Sequence, residues 1–391
     1  MAELNIILCD HAERDHLLPL TYTRPVGKLR IGIWTIEEKW NRLASANISF
    51  LTQEYLSKVF PANYSGDNLF VNGAFIPTSE MIDEVINLPL NTSLWSNGKW
   101  IATRSAEPKL FTELGNKVEA KSEMRVIDRN WKIFQWNGWA MDHDFAWLKS
   151  NKTSLDIPSG VTLIGDQIFL DQGAVIQPSA VINATSGPIY LGPDSEIMEG
   201  SLVRGGLALL DHAQLKMGAK IYGPTTIGPH SKVGGEVNNA VIIGYSNKGH
   251  DGFIGNTVIG EWCNLGADTN TSNLKNNYAD VKIHNYALNR SESTGGQFCG
   301  LTMGDHSKSG INTMFNTGTV CGVFANVFGS GFPHRRIPDF GWGGAEGFKN
   351  FRLNEALEVA ERVMERRSIE LTEDWIEVYT HLYHTLTQPA T

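Results

Sequence analysis

The chain has 391 residues, with 33 Lys and Arg against 42 Asp and Glu and a formal charge of −9. That balance argues against a nucleic-acid binder, whose footprint is a basic face, and leaves room for an anionic small molecule held by a few local cations. No apolar run approaches the ~20 residues that span a bilayer, the charged start MAELNIILCDHAERD does not read as a signal peptide, and Cys9, Cys263, Cys299 and Cys321 have no C-x-x-C pair and no metal spacing. A multidomain soluble protein of a reducing cytoplasm is expected, with its cysteines as small core or loop residues.

Residues 1 to 150 mix short strand-like runs (Asn5 to Cys9, Leu69 to Val71, Lys99 to Thr103) with helix-like stretches such as Trp34 to Leu43. This predicts an α/β domain. From DIPSG at 156 to 160 the pattern changes to a six-residue beat: Leu191, Ile197 and Val203, then Ile221, Ile227 and Val233, then Ile259 and Leu265, then Met303, Ser309, Phe315, Cys321 and Val327. Such a beat fits neither an amphipathic helix nor a single strand, and predicts a β-solenoid of short strands and tight corners over about 155 to 345. Gly304, Gly310 and Gly322 directly follow repeat positions, where the backbone must turn. TNTSNLKNNY, within 268 to 298, has no apolar period and reads as a polar excursion. DFGWGG at 339 to 344 ends the repeats.

Beyond it, Leu353, Ala356, Leu357, Ala360, Val363 and Met364 give one helix an apolar stripe. A second helix is expected to start at Thr372 as N-cap and to bury Trp375, Val378, Tyr379 and Leu382. This tail, 346 to 391, is expected to cap the solenoid end or to pack on a neighbour.

The chemistry-bearing stretch is SNKGHDGFIGNTVIGEWCNLGADTNTSN, residues 246 to 273. It resembles the acetyltransferase half of the bifunctional UDP-N-acetylglucosamine diphosphorylase/glucosamine-1-phosphate N-acetyltransferase, in the pattern G-H-x-x-[YF]-x-G, then I-G-x-x-x-N-[IL]-G-A, then a second Asn. The matching residues are Gly249, His250, Phe253 and Gly255, then Ile259, Gly260, Asn264, Leu265, Gly266 and Ala267, then Asn273. The resemblance implies a left-handed parallel β-helix, with His250 as general base and the Ala267 N–H as oxyanion donor. It further implies Lys220, Glu236, Phe253, Asn264 and Asn273 on the sugar phosphate. A histidine suits the first role because the acceptor ammonium must lose a proton near neutral pH, and a backbone amide suits the second. The resemblance also implies trimers, with acetyl-CoA lying between neighbours against Gly310, Asn312, Asn326, Arg335 and Arg336.

Departures occur at the phosphate. Asn238 and Ala279 stand where the family has lysines, Phe253 lacks a hydroxyl, and Lys275 and Lys282 are the nearest cations able to substitute. The acceptor is therefore expected to be glucosamine 1-phosphate or a related amino sugar.

Residues 1 to 150 are similar to a sugar nucleotidyltransferase domain in Leu18, Pro19, Leu20, Thr21, Arg24 and Pro25, which follow the first strand. Asp10, Arg14, Arg24, Lys28 and Arg30 are the expected nucleotide-binding residues, with UTP or another nucleoside triphosphate as partner. The loop His11 to Arg14 lacks the glycines of a phosphate cradle, and Gly73 is followed by Ala74 where the family has a magnesium-binding Asp. No metal ligand set is expected, although Mg²⁺ is compatible with an active domain. Together with EIMEGSLVRG and GFPHRRIPDFGWGG, the chain resembles the divergent Bacteroidetes-type variant of the bifunctional enzyme.

Acetyl transfer in nucleotide-sugar synthesis for cell-wall precursors, beside an eroded nucleotidyltransferase domain, is the first expectation. Two alternatives are an active nucleotidyltransferase with the solenoid as trimer scaffold, and a non-catalytic assembly protein.

Overall fold

The computed structural model describes residues 5–108 and 115–388. Two compact units divide the chain: residues to 17, 23–29 and 34–129 in the first, residues 18–22, 30–33 and 130 onward in the second.

In the first unit a six-stranded mixed sheet has the order Asn47–Leu51, Asn5–Cys9, Asn68–Asn72, Lys99–Ser105, Thr92–Ser96, Asn116–Glu119. Its two central parallel partners, Asn5–Cys9 and Asn68–Asn72, pair Cys9 with Asn72. Ile6, Ile7 and Leu8 are all buried, as expected of a strand covered on both faces. The helix Ile36–Ala44 starts at Thr35, whose hydroxyl accepts from Glu38 N while Glu38 answers to the Thr35 N–H, so two orphan amides are satisfied at once. Trp40 is its buried anchor.

The main run of the second unit opens with the 22-residue helix Asn130–Asn151 and continues as a parallel β-helix from Thr162 to Gly344, bearing out the expected solenoid. Leu191, Ile197, Val203, Ile221, Ile227, Val233, Ile259, Leu265, Met303, Phe315, Cys321 and Val327 all enter one continuous core. The helix is pinned by buried polar groups. Asn137 Oδ1 accepts from the Gly32 N–H and the Thr226 hydroxyl, its amide donates to Pro224 O, and Asp144 accepts from the Ile33 N–H. Gly32 is required there, because at φ +70° a Cβ would come within 2.5 Å of Asp144 Oδ2.

The stretch 268 to 298 is more ordered than its polarity suggests. Asn270–Thr271 pairs with Met314–Phe315, and Lys282–Asn285 forms a hairpin with Arg290–Ser293.

A column of rings runs along one corner of the coils: His212, His230, Tyr245, Trp262, His306, Phe324 and Phe340, with successive centroids 4.4 to 6.1 Å apart. Each sits at positive φ, between 51° and 61°, so the same left-handed corner recurs and projects its side chain in the same direction. The helices Leu353–Glu365 and Glu373–Leu386 start where expected, the second at Thr372. Their position is a correction to the expected end cap: they lie along the flank of their own solenoid. Tyr379 packs edge-on against His306 and Phe324, Tyr383 against Phe340, and Arg367 reaches His230 O. The ring column supplies the apolar surface that draws them there.

Candidate functional site

Five short strands stack in register on one face of the β-helix, placing Lys232, Asn247, Asn264, Lys308 and Asn326 in a row. Two residues on, past the inward-facing position, four coils carry glycine, Gly234, Gly249, Gly266 and Gly310, so the row is flanked by a strip without side chains. At Gly266 a Cβ would lie 2.5 Å from the Gly310 carbonyl carbon, so that coil cannot carry a larger residue without shifting its neighbour. One residue further on stand His250, Ala267 and Ile311.

Lys232, Asn247, Asn264 and Lys308, with Gly249, Gly266, His250, Ala267 and Ile311, line one cleft of about 660 Å³. The imidazole of His250 is exposed, as is Asn264. The Ala267 carbonyl accepts from Asn312 N and the Gly266 N–H donates to Ser309 O, which fixes the turn that presents the Ala267 amide. Tyr245 and Trp262 of the ring column form one wall, and Val363, Arg366 and Arg367 of the first tail helix form another.

The cleft is strongly cationic. Lys216, Lys232, Lys308, Arg366 and Arg367 line it, and among the described residues no carboxylate does. Burial holds the Lys308 amine down to about 8, with its Nζ donating to His306 O at 2.8 Å. Lys232 is also below its ordinary range, first through burial and then through Arg367, Lys216 and Arg366. Lys248 stands at a core position of its coil, between Val233 and Leu265, and is buried.

Of the residues implied by the resemblance, His250, Asn264 and Ala267 come together here, with Asn312 bonded to the Ala267 turn and Gly310 and Asn326 in the adjoining coils. Lys220 and Glu236 are register partners and line a different groove of about 490 Å³, with Arg204 and Tyr222. There the Tyr222 hydroxyl donates to Glu236 at 2.5 Å, and burial, followed by that hydrogen bond and the Glu236 charge, pushes Tyr222 up to about 12. Phe253 is the next register partner of Glu236, and Asn273 donates to Asn256 Oδ1 beside it. Arg335 is exposed, and Arg336 lies 3.4 Å from Asn289 Oδ1; neither lines the His250 cleft. Lys275 donates to Asp280 O within its own loop, and Lys282 is exposed in the hairpin.

The first unit gathers part of the expected nucleotide set. Asp10 accepts from Val26 N and Thr52 Oγ1 and lies 3.6 Å from Arg14, which also reaches Tyr55. Burial raises the Asp10 carboxyl above its ordinary value despite these donors. Arg24 is buried, and Lys28 pairs with Glu37. Arg30 belongs to the second unit, where its guanidinium donates to Ile243 O and Ile33 O. Ala74 is buried, its N–H donating to Asn72 Oδ1, while the Asn72 amide donates to Glu13 and Trp100 O. Asp10 and Glu13 are thus engaged by donors, and no cluster of three or more metal-ligating side chains occurs among the described residues.

Lys216, Lys232, Lys308, Arg366 and Arg367 escaped the sequence reading. Lys232 and Lys308 were findable from the register, since each sits directly before a repeat position; the arginines required the tail helix to be placed.

Residues 6–153 match a family described as sugar nucleotidyl transferase. Among curated relatives, the bifunctional sugar-1-phosphate nucleotidylyltransferase/acetyltransferase of Sulfurisphaera tokodaii is 27% identical over 220 residues, 55% of this chain and 51% of that protein. The bifunctional protein GlmU of Methanocaldococcus jannaschii is 36% identical over 87 residues, 22% of this chain and 21% of its own length. GlmU of Rippkaea orientalis is 25% identical over 166 residues, 38% and 35% of the two chains. The chain spans about half or less of the length of these relatives, and is a divergent relative of them. Solved structures similar to it include the UDP-N-acetylglucosamine acyltransferases of Campylobacter jejuni (12% identity, 60% of this chain, 92% of that one, TM-score 0.28) and Bacteroides fragilis (14%, 60%, 86%, 0.28).

Proposed function

We propose that the solenoid is an acyltransferase that moves the acetyl group of acetyl-CoA to the amine of glucosamine 1-phosphate or a related amino sugar, in the synthesis of a nucleotide sugar. The observation that carries this reading is the convergence of His250, Asn264 and Ala267 on a single cationic cleft. The neutral amine of the acceptor attacks the thioester carbonyl carbon and gives up a proton to His250. The carbonyl π pair moves to oxygen, where the Ala267 N–H stabilises it; collapse expels the CoA thiolate, to which the imidazolium returns the proton. Asn264 orients the sugar. Such preorganised donors act strongly because no reorganisation is needed as charge develops.

The reading includes a soluble cytoplasmic homotrimer, as the resemblance implies, in which Lys220, Glu236, Phe253 and Asn273 also serve the sugar. It treats the first unit as an eroded nucleotidyltransferase. The side chains there do not fit a Mg²⁺ site, since Ala74 contributes no oxygen and Asn72, Asp10 and Glu13 are already hydrogen-bonded. A second reading, active nucleotidyl transfer by that unit, is favoured by the family match over residues 6–153.

The deciding experiment is steady-state acetyl transfer by His250→Ala on a folded protein. Loss of a general base costs ~10²–10⁴ in rate; activity within a few-fold of the parent removes His250 from the chemistry.

A further inference from the structure

The cluster Lys216, Lys232, Arg366 and Arg367 is not explained by folding. Lys216 and Lys232 project from adjacent coils of the solenoid, whereas the arginines close the helix Leu353–Glu365, Arg366 as its C-cap. Arginines at a helix C-terminus complement the dipole, but that does not account for their facing two lysines. Arg367 has one identified partner, the His230 carbonyl at 3.4 Å, and none of the four makes an ion pair among the described residues. Bringing four like charges to one wall costs energy unless an anion offsets it. The cost is visible at Lys232, whose ammonium is disfavoured by burial and by the other three cations. All this occurs on a chain with a net charge of −9, so the cluster is local rather than a general basic surface.

We propose that Lys216, Lys232, Arg366 and Arg367 form an anion site for a phosphate or pyrophosphate group of the ligand that reacts at His250. The assignment supplies cations for a phosphorylated substrate where Asn238, Phe253 and Ala279 supply none, and draws two of them from the tail helix. Its placement rests on the acyl-transfer reading; binding of the anion does not. The phosphate comes from the acceptor sugar or from the CoA moiety, which share this chemistry.

The test uses the full chain. Calorimetry with inorganic pyrophosphate at low salt is run on the parent, on Lys232→Gln, on Arg366→Gln, and on the double variant Arg366→Gln/Arg367→Gln, with circular dichroism to confirm folding. The expected result is binding by the parent, at least tenfold weaker in the double variant and several-fold weaker in Lys232→Gln. Arg366 is exposed, so its single variant keeps the test open should the double variant misfold. No binding by the parent, or equal binding by folded variants, overturns the proposal. Kinetics then separates the sources. A raised KM for the sugar phosphate assigns the site to the acceptor; a raised KM for acetyl-CoA, with none for S-acetylpantetheine, assigns it to the donor. If acetyl transfer is absent from the parent while pyrophosphate binding is lost in the variants, the anion site stands and the acyl-transfer reading fails.

Discussion

From inside the core of the β-helix, Lys248 Nζ donates to His250 O at 2.7 Å, and also to Asp251 O at 3.2 Å. A lysine thus occupies a position that Val233 and Leu265 fill in the neighbouring coils, and its ammonium clamps the backbone that carries the proposed base.

Lys248→Met is expected to lower kcat about tenfold, because a loosened base loses effective concentration at the reacting amine. Thermal stability at pH 7 should change little, since an apolar side chain replaces a buried charge. Burial depresses the Lys248 amine to about 8 from 10.5. Between those values the unfolded chain holds a proton that the folded chain has released, so stability rises with pH through this window and levels off above it. Denaturation midpoints from pH 7 to 11 should therefore rise in the parent relative to Lys248→Met. Parallel curves, or an unchanged kcat, would show that the lysine does not position the base.

Tyr379 ties the tail to the solenoid: its hydroxyl is 3.0 Å from His306 Nε2, its ring packs on His306 and Phe324, and it is buried. Tyr379→Ala should cost ~3–5 kcal/mol, the range for deleting a buried aromatic ring. By freeing the second tail helix, against which the helix ending at Arg366 and Arg367 packs, it should also raise substrate KM. Urea denaturation and kinetics check the two effects; loss of stability without a KM change would separate the tail from the cleft.

Met217 and Ile311 are each 71% exposed, and Leu202 49%. In a homotrimer these residues would be covered. Met217→Glu is expected to give an inactive monomer by light scattering and acetyl-transfer assay. An active monomer contradicts the trimeric reading.

The solenoid was legible because its core positions recur at short, fixed intervals, each decided by one coil's local geometry. Lys248 breaks that beat with a charged residue at an inward position, so periodicity skips it. The ring column follows a weaker rule, one ring three residues before each inward position (His230 before Val233, Trp262 before Leu265), hidden by uneven coil lengths. His250, Asn264 and Ala267 lie within 18 residues of each other, so a local motif places them. Lys232 and Arg367 are 135 residues apart in sequence, and only packing of the tail on the ring column joins them. Arg30 shows the converse: two residues from Lys28, it is held by carbonyls of the second unit.

The first unit carries the remaining prediction. Phosphoryl-group transfer depends almost entirely on positioning and on metal and cationic stabilisation of the transferring group. Here the loop after the first strand offers Glu13 and Arg14 in place of glycines, with Glu13 taken by Asn72 and Arg14 turned to Asp10, Asp15 and Tyr55. The position after Gly73 is the buried methyl of Ala74. Loss of a preorganised metal and phosphate cradle removes several kcal/mol of transition-state stabilisation, at ~1.4 kcal/mol per decade of rate. The full-length protein, given UTP, Mg²⁺ and N-acetylglucosamine 1-phosphate, should therefore release pyrophosphate orders of magnitude more slowly than an enzyme turning over at ~10 s⁻¹. Ala74→Asp alone should not restore the rate, because Asn72 and Asp10 remain committed to their present partners. Rapid pyrophosphate release by the parent would make the first unit a working nucleotidyltransferase, with its phosphate contacts made by Arg14, Arg24 and Lys28 side chains instead of a glycine loop.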